Sequence, residues 1–172
     1  FALQKLYQKA IIYAIVKLNS LQKRVGMKFV NYNHSFILGD NNLVTKQFIA
    51  LKHDDGQLQF TDFHRYVKNA SKIKSISDDG NKRFSYVVKF LNYVFGEIGI
   101  TSLDQLTLDM VREFLMHYGL GTLPGDTKHR KRSTVEICVK TILDFLTLYL
   151  NERKGKTILS AKELYNTTSY TN

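Results

Sequence analysis

The chain has 172 residues, enough for one compact domain or a domain with an appendage. Lysine and arginine number 25 against 15 aspartates and glutamates, a formal charge of +10, and 44% apolar content excludes a largely disordered chain. A single cysteine, Cys138, excludes an internal disulfide framework and a multi-cysteine zinc site.

The basic excess means either solubility or a polyanionic partner, and the placement of the charge decides between them. The apolar stretch Ala10 to Val16 is far shorter than the ~20 residues a membrane span needs. Lys5, Lys9 and Lys17 flank it closely on both sides, and bases so spread fit a signal peptide poorly. No membrane partner is expected, and the protein is read as cytoplasmic.

In chain order, Leu3, Leu6, Tyr7, Ala10, Ile11, Ala14, Ile15, Leu18 and Leu21 recur at helical spacing, so residues 1–26 read as an amphipathic helix ending near Gly26. Met27 follows, equally compatible with an internal residue and a reading-frame start. Residues 27–60 read as irregular, with short strands at Phe29 to Tyr32 and Phe36 to Leu38. Leu43 to Lys52 is expected to be a helix with Leu43, Gln47, Phe48 and Leu51 on one side. His53-Asp54-Asp55-Gly56 reads as a polar turn rather than a metal site.

Residues 61–155 read as a helical domain. Thr61 caps a helix carrying Phe63, Tyr66 and Val67, and Ser71 to Lys82 is a polar loop. Arg83 to Phe95 carries a wide apolar face (Phe84, Val87, Val88, Leu91, Val94) with Gly96 just past its end. Ser102-x-x-Gln105 is a capping-box pattern, and Thr107 caps a helix with Met110, Val111, Phe114 and Leu115, stopped by Gly119. A loop holding Pro124 leads to a second capping-box pattern, Ser133-x-x-Glu136. That opens the longest late helix, with Val135, Val139, Ile142, Leu143, Leu146 and Tyr149 on its face, ending before Gly155. Ser160-x-x-Glu163 reads as one more short helix. The expected class is mainly α: a small orthogonal helical bundle with an extra N-terminal helix and a short irregular or β-containing segment.

Lys128-His129-Arg130-Lys131-Arg132 is the densest charge run, placed immediately before the late helix. Positive charge at a helix N-terminus opposes the macrodipole by roughly 0.3–1 kcal/mol each. The placement makes sense if an anion docks there, with free N–H groups and basic side chains converging on a phosphate. Lys68, Lys72, Lys74, Lys82, Arg83, Lys89 and Lys140 lie in the same helical region, which favours DNA. Catalytic signals are poor: His34, His53, His64, His117 and His129 are scattered, and Cys138 reads as a buried, inert thiol. No phosphate-cradling glycine loop or nucleophile elbow occurs, and no cofactor or metal is expected.

Between Arg83 and Leu150 the pieces fall in a familiar order: Tyr86-x-x-x-Phe90-x-x-Tyr93, Gly99-Ile100-Thr101-Ser102-Leu103-x-x-Leu106-Thr107, Val111-x-x-Phe114-Leu115, Ser133-Thr134-Val135 and Phe145-Leu146-x-x-Tyr149-Leu150. This resembles the N-terminal core-binding (SAM-like) domain of the tyrosine recombinases, or phage integrases. The resemblance implies a helical unit gripping one face of duplex DNA, half of a clamp whose other half is a separate catalytic domain. It also implies self-association on DNA through the parent recombinase. By the same resemblance, phosphate contacts would come from Lys82, Arg83, Lys128, His129, Arg130, Lys131, Arg132, Ser133, Thr134 and Lys140. Family members often carry bases further into the last helix, where this chain has Ile137, Cys138 and Leu143.

His129-x-x-Arg132 matches the family's catalytic spacing in form and Tyr165 follows it, but the first catalytic arginine has no place upstream. The chain itself is therefore expected to have no enzymatic activity, with residues 156–172 a linker toward a catalytic domain outside this sequence. The competing reading is a helical protein-interaction module without DNA binding, resting on the helix expected over residues 1–26.

Overall fold

The computed structural model describes residues 26–37, 39, 41, 43–68 and 78–154. The helices expected near residues 1–25 and after Ser160, the linker, and Lys72 and Lys74 all lie outside the described residues. No helix among the described residues is long and apolar enough to cross a membrane.

The fold is mixed α/β, which corrects the expectation of a mainly α bundle. Three antiparallel strands, β1 (Lys28–Ile37), β2 (Leu43–Lys52) and β3 (Leu58–Phe60), pair in that order. β1 and β2 pair in unbroken register from Lys28↔Lys52 to Ile37↔Leu43. The expected helix over Leu43 to Lys52 is thus a strand. Val44, Thr45 and Ile49 favour the pleated backbone, and the ladder satisfies every second N–H and C=O of the segment on the β1 side. The two short strands expected before it are one continuous strand.

Odd-numbered residues of β1 and β2 turn toward the helices. Phe29 and Ile49 join the main core, and Phe29 meets Phe63 at 5.8 Å and Phe95 at 5.4 Å between ring centroids. A short 3₁₀ turn (Phe63–Tyr66) follows and packs on the sheet, Phe63 against Phe29 and His64 edge-on against Phe48 at 4.9 Å between ring centroids.

Three helices complete the core: α1 (Asp78–Leu91), α2 (Leu108–Leu120) and α3 (Arg132–Lys154). Asp78 to Lys82, expected in a loop, is already helical. α1 does not stop at Gly96; it widens into a π-helical stretch (Asn92–Ile98) closed by Gly99 at φ +89°, a left-handed conformation that glycine adopts without strain. The wide turn aims the Asn92 side chain at the sheet. Its Oδ1 accepts from Phe29 N–H (2.7 Å) and its Nδ2 donates to Phe29 C=O (2.9 Å).

Thr107 caps α2 as expected, its Oγ1 accepting from Met110 N–H at 3.3 Å. Ser102 accepts from Asp104 N–H, while Gln105 reaches Thr101 N–H rather than closing a reciprocal box. α2 ends at Gly121, not Gly119. Phe90 packs edge-on against Phe114 at 5.2 Å and Tyr86 against Tyr118 at 5.8 Å, joining α1 to α2. α3 crosses the whole unit, burying Cys138, Ile142, Phe145 and Leu146.

Candidate nucleic-acid interface

The expected DNA-contacting residues sort by where the fold puts them. In its last turn α1 presents Lys89 to Asp126, in the loop before α3, at 3.8 Å. In the π-helical stretch that follows, Phe95 meets Phe63, which in turn packs on Phe145 and Tyr149 late in α3. Earlier in α1, Tyr86 packs on Tyr118, near the C-terminal end of α2. Lys82 and Arg83 lie on the first turns of α1, one turn before Tyr86, and residues 128–131 lead into α3, whose first residue is Arg132.

The basic run is not uniform. Lys128, His129 and Lys131 are exposed, as are Lys82 and Lys140; Arg83 is half-buried. None of these six has an ion pair to a described residue. Arg132 is exposed but tied by its Nε to Glu136 Oε1 at 2.9 Å, one helical turn on. Ser133 is exposed and Thr134 half-buried. Ser133 does not cap α3. The Lys131 carbonyl accepts from the N–H groups of Thr134 (3.0 Å) and Val135 (3.2 Å), and Glu136 is occupied by Arg132.

Arg130 is the exception: it faces inward. Its side chain is 9% exposed, its guanidinium carbon lies 4.2 Å from the Tyr118 ring centroid, and Nη2 donates to Asp126. Nη1 donates to the carbonyls of Tyr118 (2.9 Å) and Lys128 (2.6 Å), and the Arg130 N–H reaches Gly119 C=O. Arg130 therefore closes the C-terminal end of α2, where a cation also suits the helix dipole. Gly121 permits this closure: at φ +69°, a Cβ there would lie 2.5 Å from the Lys128 carbonyl carbon.

Electrostatics follow from this packing. Burial disfavours the Asp126 carboxylate, but the hydrogen bonds from Arg130 and the Lys128 N–H, with the charges of Arg130 and Lys89, outweigh it and hold the carboxyl below its ordinary value. Burial likewise works against Arg130, and its bonds to Asp126 and the neighbouring Tyr118 more than restore it. Sequence reasoning missed Asp126 and Tyr118 as the partners of Arg130. Asp126-x-x-x-Arg130 has helical ion-pair spacing but lies in a loop, so no periodicity marks it.

Other sequence candidates stay apart. His117 packs beside Tyr93, with its Nδ1 2.7 Å from Thr122 Oγ1. The Asp55 carboxylate accepts from Gln57 N–H within a turn. Among the described residues no three His, Cys, Asp or Glu side chains converge as a metal site. No family model matches the chain, and no curated protein or solved structure is significantly similar to it.

Proposed function

We propose that this chain grips duplex DNA through the basic end of its helical bundle, as the core-recognition piece of a site-specific tyrosine recombinase and one half of a clamp around the duplex. The observation that carries the reading is the set of basic residues without described ion-pair partners, Lys82 and Arg83 on the first turns of α1 and Lys128, His129 and Lys131 in the run that leads into α3. N–H groups at a helix start and the attached bases favour phosphate together. Lys140 extends the charge along the exposed side of α3. Such contacts position a protein on the duplex without reading its sequence. Arg130 supports the loop that presents its neighbours and does not itself meet the phosphate.

The test is fluorescence anisotropy with a labelled duplex of ~30 base pairs over a range of salt, where log affinity falls by about 0.9 per neutralised phosphate per unit log salt. The double reversal Lys128→Glu/Lys131→Glu is expected to weaken binding to all sequences alike and to flatten the salt slope. Absence of binding at low salt would overturn the proposal and return the charge to solubility, leaving the protein-interaction reading.

A further inference from the structure

The outer face of the sheet carries a second feature, independent of the basic bundle end. On β1, Tyr32, His34 and Phe36 alternate onto this face as near-parallel rings, each 6.3 Å from the next, with interplanar angles of 22° and 25°. Across the sheet, Tyr32 meets Phe60 of β3 at 5.5 Å and Phe60 meets Phe48 of β2 at 5.6 Å. The small Ala50 lies opposite Phe60 and is fully buried. Phe60 is 56% exposed and Phe36 37%, although both are large hydrophobic residues.

Charge is sorted with the rings. The three strands contain three lysines, Lys28, Lys46 and Lys52, and no aspartate or glutamate. All three lysines share the aromatic face, since Lys28 pairs with Lys52 and His34 with Lys46 in the register that pairs Tyr32 with Phe48. The inward face of β1 and β2 carries no charged side chain. Lys46 Nζ sits 5.5 Å from the Phe48 ring centroid. A purely apolar partner would leave these ammonium groups desolvated and unpaired. A polyanion that also offers flat rings satisfies both features.

We propose that this face is a stacking platform for single-stranded nucleic acid, with unpaired bases lying on Tyr32, Phe36 and Phe60 and the strand's phosphates meeting Lys28, Lys46 and Lys52. Base stacking on aromatic rings tolerates any sequence, because every base has a π-face, and flanking lysines track the backbone. Stacked bases repeat at ~3.4 Å along a strand, so a 6.3 Å ring repeat provides about one ring for every two bases. A duplex hides its base faces and cannot use the rings this way.

The experiment uses the full chain and a fluorescein-labelled oligothymidylate of ~12 nucleotides, within the span that sheet-based single-strand sites cover. Its duplex with the complementary strand is the control. Phe60→Ala and Tyr32→Ala are each expected to weaken single-strand binding about ten-fold and to leave duplex affinity unchanged. Phe60→Tyr and Tyr32→Phe keep the ring and should keep the affinity. Lys131→Glu should weaken duplex binding and spare the single strand, which separates this proposal from the one above. Thermal unfolding checks each variant, and Phe36→Ala tests the same ladder should Tyr32→Ala fail to fold. No single-strand binding at low salt, or unchanged affinity in the folded alanine variants, would overturn the proposal. So would a wild-type dimer that Phe60→Ala disperses, since the face would then belong to a second copy of the chain.

Discussion

Arg130 lies with its guanidinium carbon 4.2 Å from the ring centroid of Tyr118, and the same guanidinium ties the Tyr118 carbonyl to the carboxylate of Asp126. The relationship makes the central cation of the most basic run a part of the core's edge. It also explains how five consecutive basic residues are tolerated at the start of α3: one is neutralised internally, one pairs with Glu136, and three face water.

Removing this arginine is expected to unfold rather than to disarm. Arg130→Ala leaves Asp126 charged and partly buried and leaves the Tyr118 carbonyl only the long 3.4 Å bond from the Gly121 N–H, a loss of about 3 kcal/mol. Arg130→Lys keeps the charge but not the planar fork or the stacking, so only part of the loss is recovered. Urea unfolding of the variants checks this. A loss of ~0.5 kcal/mol or less, typical of a surface site, would show the contacts to be surface-like.

The same contact sets an acid limb on stability. Asp126 is held below the ordinary aspartate value of about 3.9, so below that value the unfolded chain takes up a proton that the native carboxylate refuses. The contribution is fully present above the unfolded pKa and is lost as pH falls through the lower folded one. Urea midpoints measured downward from about pH 5 should fall less steeply in Asp126→Asn than in the wild type. Equal slopes would mean that other carboxylates account for the limb.

Asn92 joins sheet to helices through two hydrogen bonds to one residue, Phe29. Asn92→Asp keeps the acceptor and loses the donor, setting a carboxylate against the Phe29 carbonyl. Asn92→Ala loses both bonds and leaves a partly buried N–H and C=O without partners, a loss of roughly 2 kcal/mol. The aspartate variant is expected to be at least as destabilised, and amide exchange in β1 should quicken in both. Unchanged exchange in β1 would show that Phe29 packing alone docks the strand.

Cys138 is fully buried in α3, and burial pushes its thiol up to about 12 despite the nearby Lys89 and Arg130. The native thiol is therefore neutral and shielded, and a disulfide reagent at mildly alkaline pH should label it only as fast as the protein opens. The unfolded thiol ionises near 8.5. This contribution to stability is thus intact below that pH and declines as pH rises toward the folded value. Rapid stoichiometric labelling of folded protein would contradict the burial.

The helical half of the fold was readable because its apolar positions repeat with a helix period and bury one stripe: Val87, Leu91 and Val94 in α1, Val135, Val139, Ile142 and Leu146 in α3. The sheet was not. β2 has apolar groups on both faces, Phe48 and Ala50 outward, Ile49 and Leu51 inward, so its period of two is blurred and Leu43, Gln47 and Leu51 mimic a helix. Local cap patterns misled where another local pair competed, as when Arg132 captured Glu136, one turn on, from the Ser133 box. Residue type located the basic run but could not show that Arg130, alone of its neighbours, turns inward, because its partners Tyr118 and Asp126 are assembled only by the loop closing over Gly121.

Ile137 provides a test by gain rather than loss. It is 54% exposed on α3, between Ser133 and Lys140 on one side of the helix, at a place where recombinases of the resembled family often carry a base. An exposed isoleucine there contributes little to the core, so Ile137→Lys should change stability by no more than ~0.5 kcal/mol. If duplex DNA lies along the start of α3, the added ammonium meets one more phosphate. Affinity should then rise at low salt, and the salt dependence should steepen by about 0.9 in log–log slope. A variant that folds normally and shows neither change would place the duplex away from this side of α3 and confine the interface to the Lys128–Lys131 loop and the start of α1.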